Sequence, residues 1–257
     1  MMKISVCIIG LNEEKKIEAC LRSVTSIADE IIYIDSNSTD ATVEIVQKYT
    51  KKIFYKKFNN YVEQKNYASE KASNHWILSL DCDEVLSTNL ITSIQDLKNG
   101  NSVKNKNITG YHINRLTFYV YRWVKHSGWY PEWNLRLFHR EHAKWEGKYI
   151  HESVKCRQGE QSKLKGDLLH YSFDSVADHI KTIQNFSEIA AKEAYEKGKR
   201  TNLFSLLFRS FWVGVRKMIF ELAFLDGGAG FIITGLSVMA TFTKYSKLYM
   251  IQKLNNK

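Results

Sequence analysis

The sequence predicts an α/β fold, a mostly parallel sheet with helices on both faces, followed by a helical C-terminal region. Two observations carry this prediction. Short apolar runs alternate with amphipathic, helix-spaced stretches through the first hundred residues. Such alternation is typical of βα units that form a parallel sheet. From residue 174 onward the apolar spacing is helical, and no strand-like run follows.

The predicted strands of the first part are continuous apolar runs, as expected for strands that are buried on both faces. Between them, apolar residues recur every three or four positions, as Ile17, Leu21 and Val24 do, and this spacing predicts amphipathic helices. We predict strands at residues 4–10, 30–36, 52–57 and 75–80, and helices at 13–27, 38–49 and 61–73.

The middle of the chain is expected to extend the same sheet as a mixed one. A polar segment at 99–107 precedes the extension, which has β-like stretches at 109–120, 133–139 and 164–172. The predicted organisation is therefore a βα half at 1–100, a second half of the same domain at 101–172, and a helical region at 173–257.

The composition restricts the class of protein. The four cysteines have no short paired spacing, which argues against a zinc ribbon or a secreted disulfide scaffold. The first apolar run, at residues 4–9, is too short for a signal peptide, so we expect a cytoplasmic protein. The net charge of +10 favours a polyanionic partner: nucleic acid, anionic lipid or a phosphorylated substrate. Lysines that serve only solubility are the alternative.

Two carboxylates follow the fourth predicted strand. Asp81 and Asp83 are two positions apart, so they can share one divalent cation, and Mg²⁺ and Mn²⁺ prefer such oxygen ligands. Asn12 and Asp35 follow the first and second strands. Since ligands of parallel sheets bind at the carboxyl ends of the strands, we expect all four residues at one edge. The alternative for the aspartates is a solvated acidic turn, and for Asn12 and Asp35 it is helix capping.

Several segments, in this order and spacing, resemble family 2 glycosyltransferases of the GT-A fold. They are SVCIIGLNEEKKIEACLRSV, EIIYIDSNSTDAT, EQKNYA and WILSLDCDE. The later segments GYHINRLTFYVYRWVKHSGWYPEWNLRLFHR, IHESV, LKGDLLHYS and FLDGGAGF are similar to a narrower group, the bacterial lipopolysaccharide core β-1,4-glucosyltransferase-like enzymes. The resemblance extends to about Lys247. It implies metal-dependent, inverting transfer of a hexose, with glucose favoured, from a UDP-sugar to a lipid-linked glycan such as the lipopolysaccharide core.

The resemblance also implies roles for individual residues. Residues 1–100 would bind the nucleotide sugar, with Asp35 on the base and Lys65, where many members have arginine, on the base or a phosphate. Residues 101–172 would be the acceptor-binding and catalytic half of the same domain. The cofactor would be Mn²⁺ or Mg²⁺, held by Asp83 and Asp81 and completed by the downstream His151. The expected substrate-binding residues of this half are Asn12, Glu13, Asp35, Lys65 and Asp81.

The segment GWYPEWNLR, at 128–136, contains the only proline of the chain. Attack by an acceptor hydroxyl requires a base, and the resemblance implies an acidic residue downstream of the paired aspartates, for which Glu132 is the candidate. Pro131 restricts the local backbone and would fix the direction of that side chain. The alternative is a packing corner with an exposed glutamate. We expect Trp129 and Trp133 to contact sugar rings, and Arg136 to neutralise the leaving diphosphate or to form an ordinary salt bridge.

The C-terminal region predicts membrane association. Residues 203–225 are apolar nearly all round with one charged stripe, and 227–243 carry no charge. We expect a peripheral or monotopic contact with an anionic membrane surface, on the cytoplasmic face of the inner membrane, or a homo-oligomer contact. The alternative is that both helices pack on the catalytic domain.

Two other functions are compatible with parts of the pattern. A nucleotidyltransferase of similar fold commonly has a Gly-rich phosphate loop after the first strand, and GLNEEKK is not one. A non-catalytic membrane-binding or RNA-binding module would explain the positive charge but not the series of carboxylates at strand ends. We therefore expect a nucleotide sugar and a lipid-linked glycan as partners, and no nucleic acid.

Overall fold

The structure, a computed structural model, describes residues 2–100, 107–147 and 152–255. The chain divides into two compact units. The first unit comprises residues 1–115 and 132–170, and the second comprises residues 116–131 and 171–257. The predicted α/β class is confirmed.

The first unit begins with four parallel strands connected by helices. β1 lies between β2 and β4, and β3 follows β2 at the edge of the sheet. The elements are β1 (Ile4–Gly10), α1 (Ile17–Val24), β2 (Glu30–Asp35), α2 (Thr42–Val46), β3 (Ile53–Tyr55), α3 (Tyr61–Lys71) and β4 (Trp76–Asp81).

The helices α1 and α2 are shorter than predicted. Residues 38–41, expected to open a helix, instead bond to the loop after β1: the backbone N–H of Thr39 donates to Asn12 Oδ1 at 2.8 Å. Asp40 accepts from the backbone N–H of Thr42 at 3.0 Å, so this polar cluster organises a loop before α2 begins.

The sheet then becomes mixed, as predicted. The strand order is β3-β2-β1-β4-β8-β6-β11-β5, β7 pairs with β6, and β8 runs antiparallel to both β4 and β6. β9 and β10 form a separate antiparallel pair. The elements are β5 (Glu84–Leu86), α4 (Thr88–Lys98), β6 (Ile108–Tyr119), β7 (Arg122–Val124), β8 (Glu132–His139), β9 (Ala143–Glu146), β10 (Ser153–Cys156) and β11 (Glu160–Phe173).

Apolar side chains cover both faces of the first unit's sheet. Ile4, Val6 and Ile8 of β1 are fully buried in a cluster that includes side chains of α1 and α4. On the other face, Cys7 and Ile9 pack with residues of α3 and β9. Each fully buried aliphatic side chain contributes about 1.5–3 kcal/mol relative to an exposed one. Packing on both faces of the sheet therefore holds the strands, and with them their carboxyl ends, in fixed positions.

The second unit is mainly helical. α5 and α6 both pack against α7, and a π-helical turn and a 3₁₀ turn lie between α6 and α7. The predicted continuous stretch at 203–225 is thus broken after Val215. The elements are α5 (Val176–Glu196), α6 (Leu203–Val215), the π-helix Arg216–Phe220, the 3₁₀ helix Ala223–Asp226 and α7 (Gly227–Asn255).

A buried carboxylate anchors the loop at 125–127 within the second unit. Asp226, 1% exposed, accepts from the backbone N–H groups of Lys125 at 3.1 Å and His126 at 3.0 Å, and from the Ser127 hydroxyl at 2.9 Å. Lys217 donates to the carbonyl of Ser127 at 2.7 Å. Lys217, 7% exposed, is therefore a buried member of the charged stripe predicted at 203–225.

Candidate active site

The polar residues that follow the parallel strands lie at one edge of the first unit. Gly10 of β1 pairs with Asp35, and Ile9 of β1 pairs with Asp81. The two aspartates therefore flank the carboxyl end of β1, which is the usual ligand-binding edge of a parallel sheet.

Asp35 and Gln64 each present one buried oxygen that has no hydrogen-bond partner within the described ranges. The other oxygen of Asp35 accepts from the backbone N–H of Ser38 at 2.8 Å. The Gln64 amide donates to Ser36 Oγ at 2.9 Å and to the carbonyl of Lys56 at 3.0 Å. Unpaired buried polar atoms are rare, so these two acceptors are suited to donors of a ligand. Sequence reasoning missed Gln64, although it stands in the quoted segment EQKNYA.

Asn12 joins the loops that follow β1 and β2. Its φ of 56° lies in the left-handed region, and its side-chain oxygen accepts from the backbone N–H of Thr39. The backbone N–H of Asn12 donates to Ser38 Oγ at 3.0 Å, and that of Glu13 to Thr42 Oγ1 at 2.7 Å. Asn12 does not cap α1, because the N-cap of that helix is Lys16.

Two cations face the carboxylates after β4. Lys65 Nζ lies 3.0 Å from Asp81 Oδ1, and Arg136 Nη2 lies 3.4 Å from Asp81 Oδ2 and 2.5 Å from Glu84 Oε1. Glu84 Oε2 also accepts from the backbone N–H of Asp81 at 2.9 Å. Glu84 was not predicted, although it belongs to the segment DCDE.

The two carboxylates of this cluster differ in their titration. Burial raises the pKa of Asp81, but the positive charges of Lys65 and Arg136 outweigh this effect, so the pKa lies well below its usual range. Burial also raises the pKa of Glu84, and there the charge of Arg136 does not fully compensate, so the pKa lies above its usual value. Asp81 is therefore an anion at neutral pH.

Trp145 of β9 forms one wall of this cluster. Lys65 Nζ lies 4.4 Å from the centre of its ring, and the Arg136 guanidinium lies 5.7 Å from it. The side chain of Asn66 clamps the Trp145 backbone, donating to its carbonyl at 2.9 Å and accepting from its N–H at 3.1 Å. The neighbouring residues Lys65 and Asn66 of α3 thus contact the same tryptophan, which sequence reasoning missed.

Arg136 owes its position to a β-bulge. On β6, Tyr111 pairs with Leu137 and His112 pairs with Leu135, so Arg136 is the extra residue of β8. Bulges redirect side chains next to active sites. Arg136 is 4% exposed, and its Nε and Nη1 have no partner among the described residues. The salt-bridge alternative is thus observed, and two donors remain for an anion.

A histidine lies beside Asp83. His170 Nε2 is 3.3 Å from Asp83 Oδ2, because His170 of β11 pairs with Glu84 of β5. Both side chains are partly exposed, so they are accessible to a ligand. The predicted His151 lies outside the described residues. His170 belongs to the quoted segment LKGDLLHYS but was not singled out.

Glu132, at the start of β8, forms an ion pair across the sheet. Arg115 Nε and Nη2 donate to its two oxygens at 2.9 and 2.7 Å, and Asn134 Nδ2 lies 3.3 Å from Oε1. The side chain is 39% exposed. The preceding Tyr130–Pro131 peptide bond is cis. Arg115 thus orients the carboxylate, a contribution that was expected from Pro131.

The two tryptophans around Glu132 have different surroundings. Trp133 is 36% exposed, and Lys163 Nζ lies 4.4 Å from the centre of its ring. Trp129 belongs to the second unit, where its ring packs against Tyr119, Phe173 and His179. Packing accounts for Trp129, whereas Trp133 has a surface available to a ligand.

The family model for glycosyl transferase family 2 matches residues 5–165. An uncharacterized glycosyltransferase of Rickettsia typhi is 30% identical over 258 residues, which cover 96% of this chain and 87% of the relative. The lipopolysaccharide core biosynthesis glycosyltransferase LpsC of Rhizobium meliloti is 27% identical over 259 residues, covering 96% and 92%.

Solved structures are similar at lower identity. The mannosyltransferase PcManGT of Pyrobaculum calidifontis, in complex with GDP-Man and Mn²⁺, is 14% identical, covers 99% of this chain and 88% of its own, and has a TM-score of 0.49. Glucosyl-3-phosphoglycerate synthase of Mycobacterium tuberculosis, in complex with Mg²⁺ and UDP, is 20% identical, covers 46% and 44%, and has a TM-score of 0.35.

Proposed function

The chain belongs to glycosyl transferase family 2, and on this premise we propose that it is a metal-dependent, inverting hexosyltransferase with a UDP-sugar donor, glucose favoured. The observation that carries the proposal is the cluster at the end of β4. There Asp81 and Asp83 lie beside Lys65, Arg136 and His170. Transfer from a nucleotide sugar requires carboxylates that bind a metal ion and basic side chains that neutralise the diphosphate.

Asp83, Asp81 and His170 are the described residues that would hold the divalent cation. Two carboxylates and an imidazole suit Mn²⁺ better than Mg²⁺, which favours oxygen ligands alone. The cation, when bound, neutralises the diphosphate of the donor. The Nε and Nη1 donors of Arg136, which have no partner in the described part of the chain, and the ammonium of Lys65 add positive charge on the same side, where the leaving group gains charge.

The base of the nucleotide fits the part of the sheet edge that follows β2, on the other side of β1 from the carboxylates after β4. A uracil ring presents an imide N–H, and Asp35 and Gln64 each offer an acceptor oxygen that no described residue of the chain occupies. Asn12 holds the adjoining loops together, and Glu13 follows it on the same loop. Lys65, already engaged with Asp81 and Trp145, is better placed for a phosphate than for the base.

We assign the general base to Glu132. In a single displacement the acceptor hydroxyl attacks the anomeric carbon and passes its proton to this carboxylate, while the nucleoside diphosphate leaves from the opposite face. A carboxylate offers about four lone-pair positions. Arg115 and Asn134 therefore leave room for a hydroxyl. The exposed Trp133 ring offers an apolar surface to the acceptor sugar.

The acceptor proposed is a lipid-linked glycan, such as a lipopolysaccharide core. LpsC, a relative over nearly the whole chain, is named for lipopolysaccharide core biosynthesis. On α6, Phe204, Leu207, Phe208 and Phe211 are 78, 59, 55 and 67% exposed. Their spacing places them on one helical face. The helical segment Ala223–Asn255 is long and apolar enough to cross a membrane by length and composition, and 33% of its most apolar window is buried.

From these features we propose peripheral or monotopic association with the cytoplasmic face of the inner membrane. An exposed apolar helix face in a basic protein gains free energy at an anionic lipid surface from both apolar burial and charge. Association of this kind would concentrate the enzyme where lipid-linked acceptors are anchored.

Purified protein incubated with UDP-sugars, Mn²⁺ and extracted lipid acceptors tests the proposal. We expect acceptor-dependent UDP release with one donor, and a β-linked product from the α-linked donor by proton NMR. An α-linked product would contradict the single displacement. Release of pyrophosphate from a nucleoside triphosphate, with no UDP release from UDP-sugars, would indicate a nucleotidyltransferase instead.

A further inference from the structure

A second cluster of metal-ligating side chains lies at the amino end of β4, whereas Asp81 lies at its carboxyl end. His75 directly precedes β4, His139 ends β8, and Glu141 lies in the turn that follows. One ligand atom of each residue lies within 4.8 Å of the other two. All three residues belong to the first unit and stand outside the candidate active site.

The backbone of the sheet holds these residues together. Trp76 of β4 pairs with His139 of β8, and the backbone N–H of Arg140 donates to the carbonyl of His75 at 2.9 Å. The backbone N–H of His142 donates to the carbonyl of His139 at 3.0 Å and closes the turn that carries Glu141. The backbone positions of the three residues are therefore fixed, which lowers the entropic cost of bringing their side chains together around an ion.

The side chains are close to the spacing of a metal shell. His75 Nδ1 lies 3.1 Å from Glu141 Oε1. Neighbouring ligands of a tetrahedral zinc ion are about 3.3 Å apart, given metal–ligand distances of about 2.0–2.1 Å. The His75 and His139 rings stack at 5.3 Å between centres, nearly parallel at 7°. The His75 and Glu141 side chains are both 59% exposed, so they are free to turn toward one ion.

One ring nitrogen of His139 lacks the partner that its burial calls for among the described residues. His139 Nδ1 is buried and has no hydrogen bond within the part of the chain that the structure describes. Buried polar atoms are nearly always paired with protein, water or an ion. Since His75 and Glu141 lie beside His139, an ion bound by the three residues is one partner that would satisfy this nitrogen.

We propose that His75, His139 and Glu141 bind a divalent transition-metal ion, zinc most readily, at a site separate from the catalytic cation. Two imidazoles and one carboxylate suit zinc, copper or nickel better than magnesium. Three protein ligands leave one position for water. An ion here would join the start of β4 to the end of β8 and stabilise the folded state by mass action.

Zinc titrated into the full-length protein against a competing chelating dye tests this site, with millimolar Mn²⁺ present in large excess over zinc to occupy the proposed cation site of Asp81, Asp83 and His170. We expect one zinc ion per chain. His75→Asn and Glu141→Gln should each weaken binding by about tenfold or more, as loss of one ligand of three implies. His142→Asn changes a neighbouring imidazole outside the set and should change affinity less than about threefold. Asp83→Ala should bind zinc as the unaltered protein does.

A second readout is independent of the titration. Zinc should raise the midpoint of thermal unfolding in the unaltered protein and in Asp83→Ala, but not in His75→Asn. Circular dichroism verifies that each variant is folded, as expected for exposed positions. Unchanged zinc affinity in both His75→Asn and Glu141→Gln would overturn the assignment, as would loss of binding in Asp83→Ala. Affinity weaker than about 100 μM would indicate an adventitious ion only.

Discussion

Arg115 and Glu132 lie directly opposite each other on β6 and β8 and form a bidentate ion pair with N–O distances of 2.9 and 2.7 Å. The guanidinium is planar, so the pair fixes the plane of the carboxylate as well as its position. The lone pairs that face away from Arg115 point in a defined direction. A proton acceptor of fixed direction is what an attacking hydroxyl requires.

Glu132→Gln should lower turnover by about 10²–10⁴-fold, because the amide keeps the shape of the side chain but cannot accept the proton. Affinity for the UDP-sugar should remain nearly unchanged, since Glu132 is not among the proposed nucleotide contacts, which lie after β1, β2 and β4, on α3 and at Arg136. Transfer rate and donor binding by calorimetry, measured on the same sample, separate the two quantities. A parallel loss of donor binding would make Glu132 a nucleotide-binding or structural residue.

Arg115→Lys is the matched variant for the ion pair. Lysine keeps the charge but loses the planar fork that orients both oxygens. We expect a smaller loss of turnover than in Glu132→Gln, with donor binding again unchanged. If Arg115→Lys were as inactive as Glu132→Gln, Arg115 itself would have to contact the substrate.

Asp83→Ala should abolish transfer and metal-dependent UDP binding while the protein stays folded, because this carboxylate is a proposed ligand of the catalytic cation. His170→Asn should weaken the apparent affinity for Mn²⁺ by about 10–100-fold and leave saturated turnover less affected. Initial rates over a range of Mn²⁺ concentrations measure both effects. An unchanged Mn²⁺ dependence in His170→Asn would show that His170 is not a metal ligand, and His151 would remain the candidate histidine ligand.

The parallel half of the fold could be predicted because its signals are local. β1, β2 and β4 begin and end within one residue of the predicted runs, since a strand buried on both faces is continuously apolar. α4 (Thr88–Lys98) was missed. Its signal was also local: Ser87 caps the helix, and Leu90, Ile94 and Leu97 recur at helical spacing.

The candidate site was predictable only in part. Asp35 and Asp81 follow parallel strands, whose carboxyl ends must share one edge, so their proximity follows from the topology. His170 approaches Asp83 through the antiparallel register of β11 and β5. Arg136 depends on a bulge, and Trp145 on a clamp by Asn66. Register, bulges and side-chain clamps depend on distant parts of the chain, which no local pattern encodes.

Asp226→Ala should lower the free energy of unfolding by about 3 kcal/mol or more, because it removes the acceptor of two part-buried backbone N–H groups and of the buried Ser127 hydroxyl. Asp226→Asn keeps one acceptor oxygen and should lower the free energy of unfolding by less than Asp226→Ala does. Urea denaturation measures both variants. Equal losses would show that the negative charge matters more than the number of hydrogen bonds.

His179 predicts a pH dependence of stability. Burial, with a smaller contribution from the charge of Lys217, lowers the pKa of His179 from 6.5 to about 4. Below pH 6.5 the unfolded chain binds a proton that the folded protein does not bind until about pH 4. The free energy of unfolding should therefore fall as the pH drops through this range, by at most about 3 kcal/mol from this residue, with no contribution above it.

His179→Asn removes that titration and keeps a polar group near the Tyr119 hydroxyl, which lies 3.2 Å from His179 Nδ1. The difference between the unfolding free energies of the two proteins should change between pH 7 and pH 4, because the carboxylates contribute equally to both. A difference that is independent of pH would contradict the lowered pKa.

The apolar face of α6 can be tested for membrane contact without deleting the helix. Phe208→Asp combined with Phe211→Asp places two charges on exposed positions of that face, 55 and 67% exposed. Each buried phenylalanine is worth about 1.5–3 kcal/mol, so the pair should weaken binding to anionic vesicles by roughly a hundredfold or more. Sedimentation with vesicles of mixed neutral and anionic lipid measures the change.

The matched control, Tyr55→Asp with Phe58→Asp, alters exposed aromatic residues of the first unit, 61 and 40% exposed, and should sediment as the unaltered protein does. Binding of the unaltered protein should also weaken in high salt, because part of the attraction is electrostatic. If the α6 variant and the control sedimented equally, the exposed face of α6 would not be the membrane contact. Contact between copies of the chain would then be the remaining explanation for the exposed apolar face.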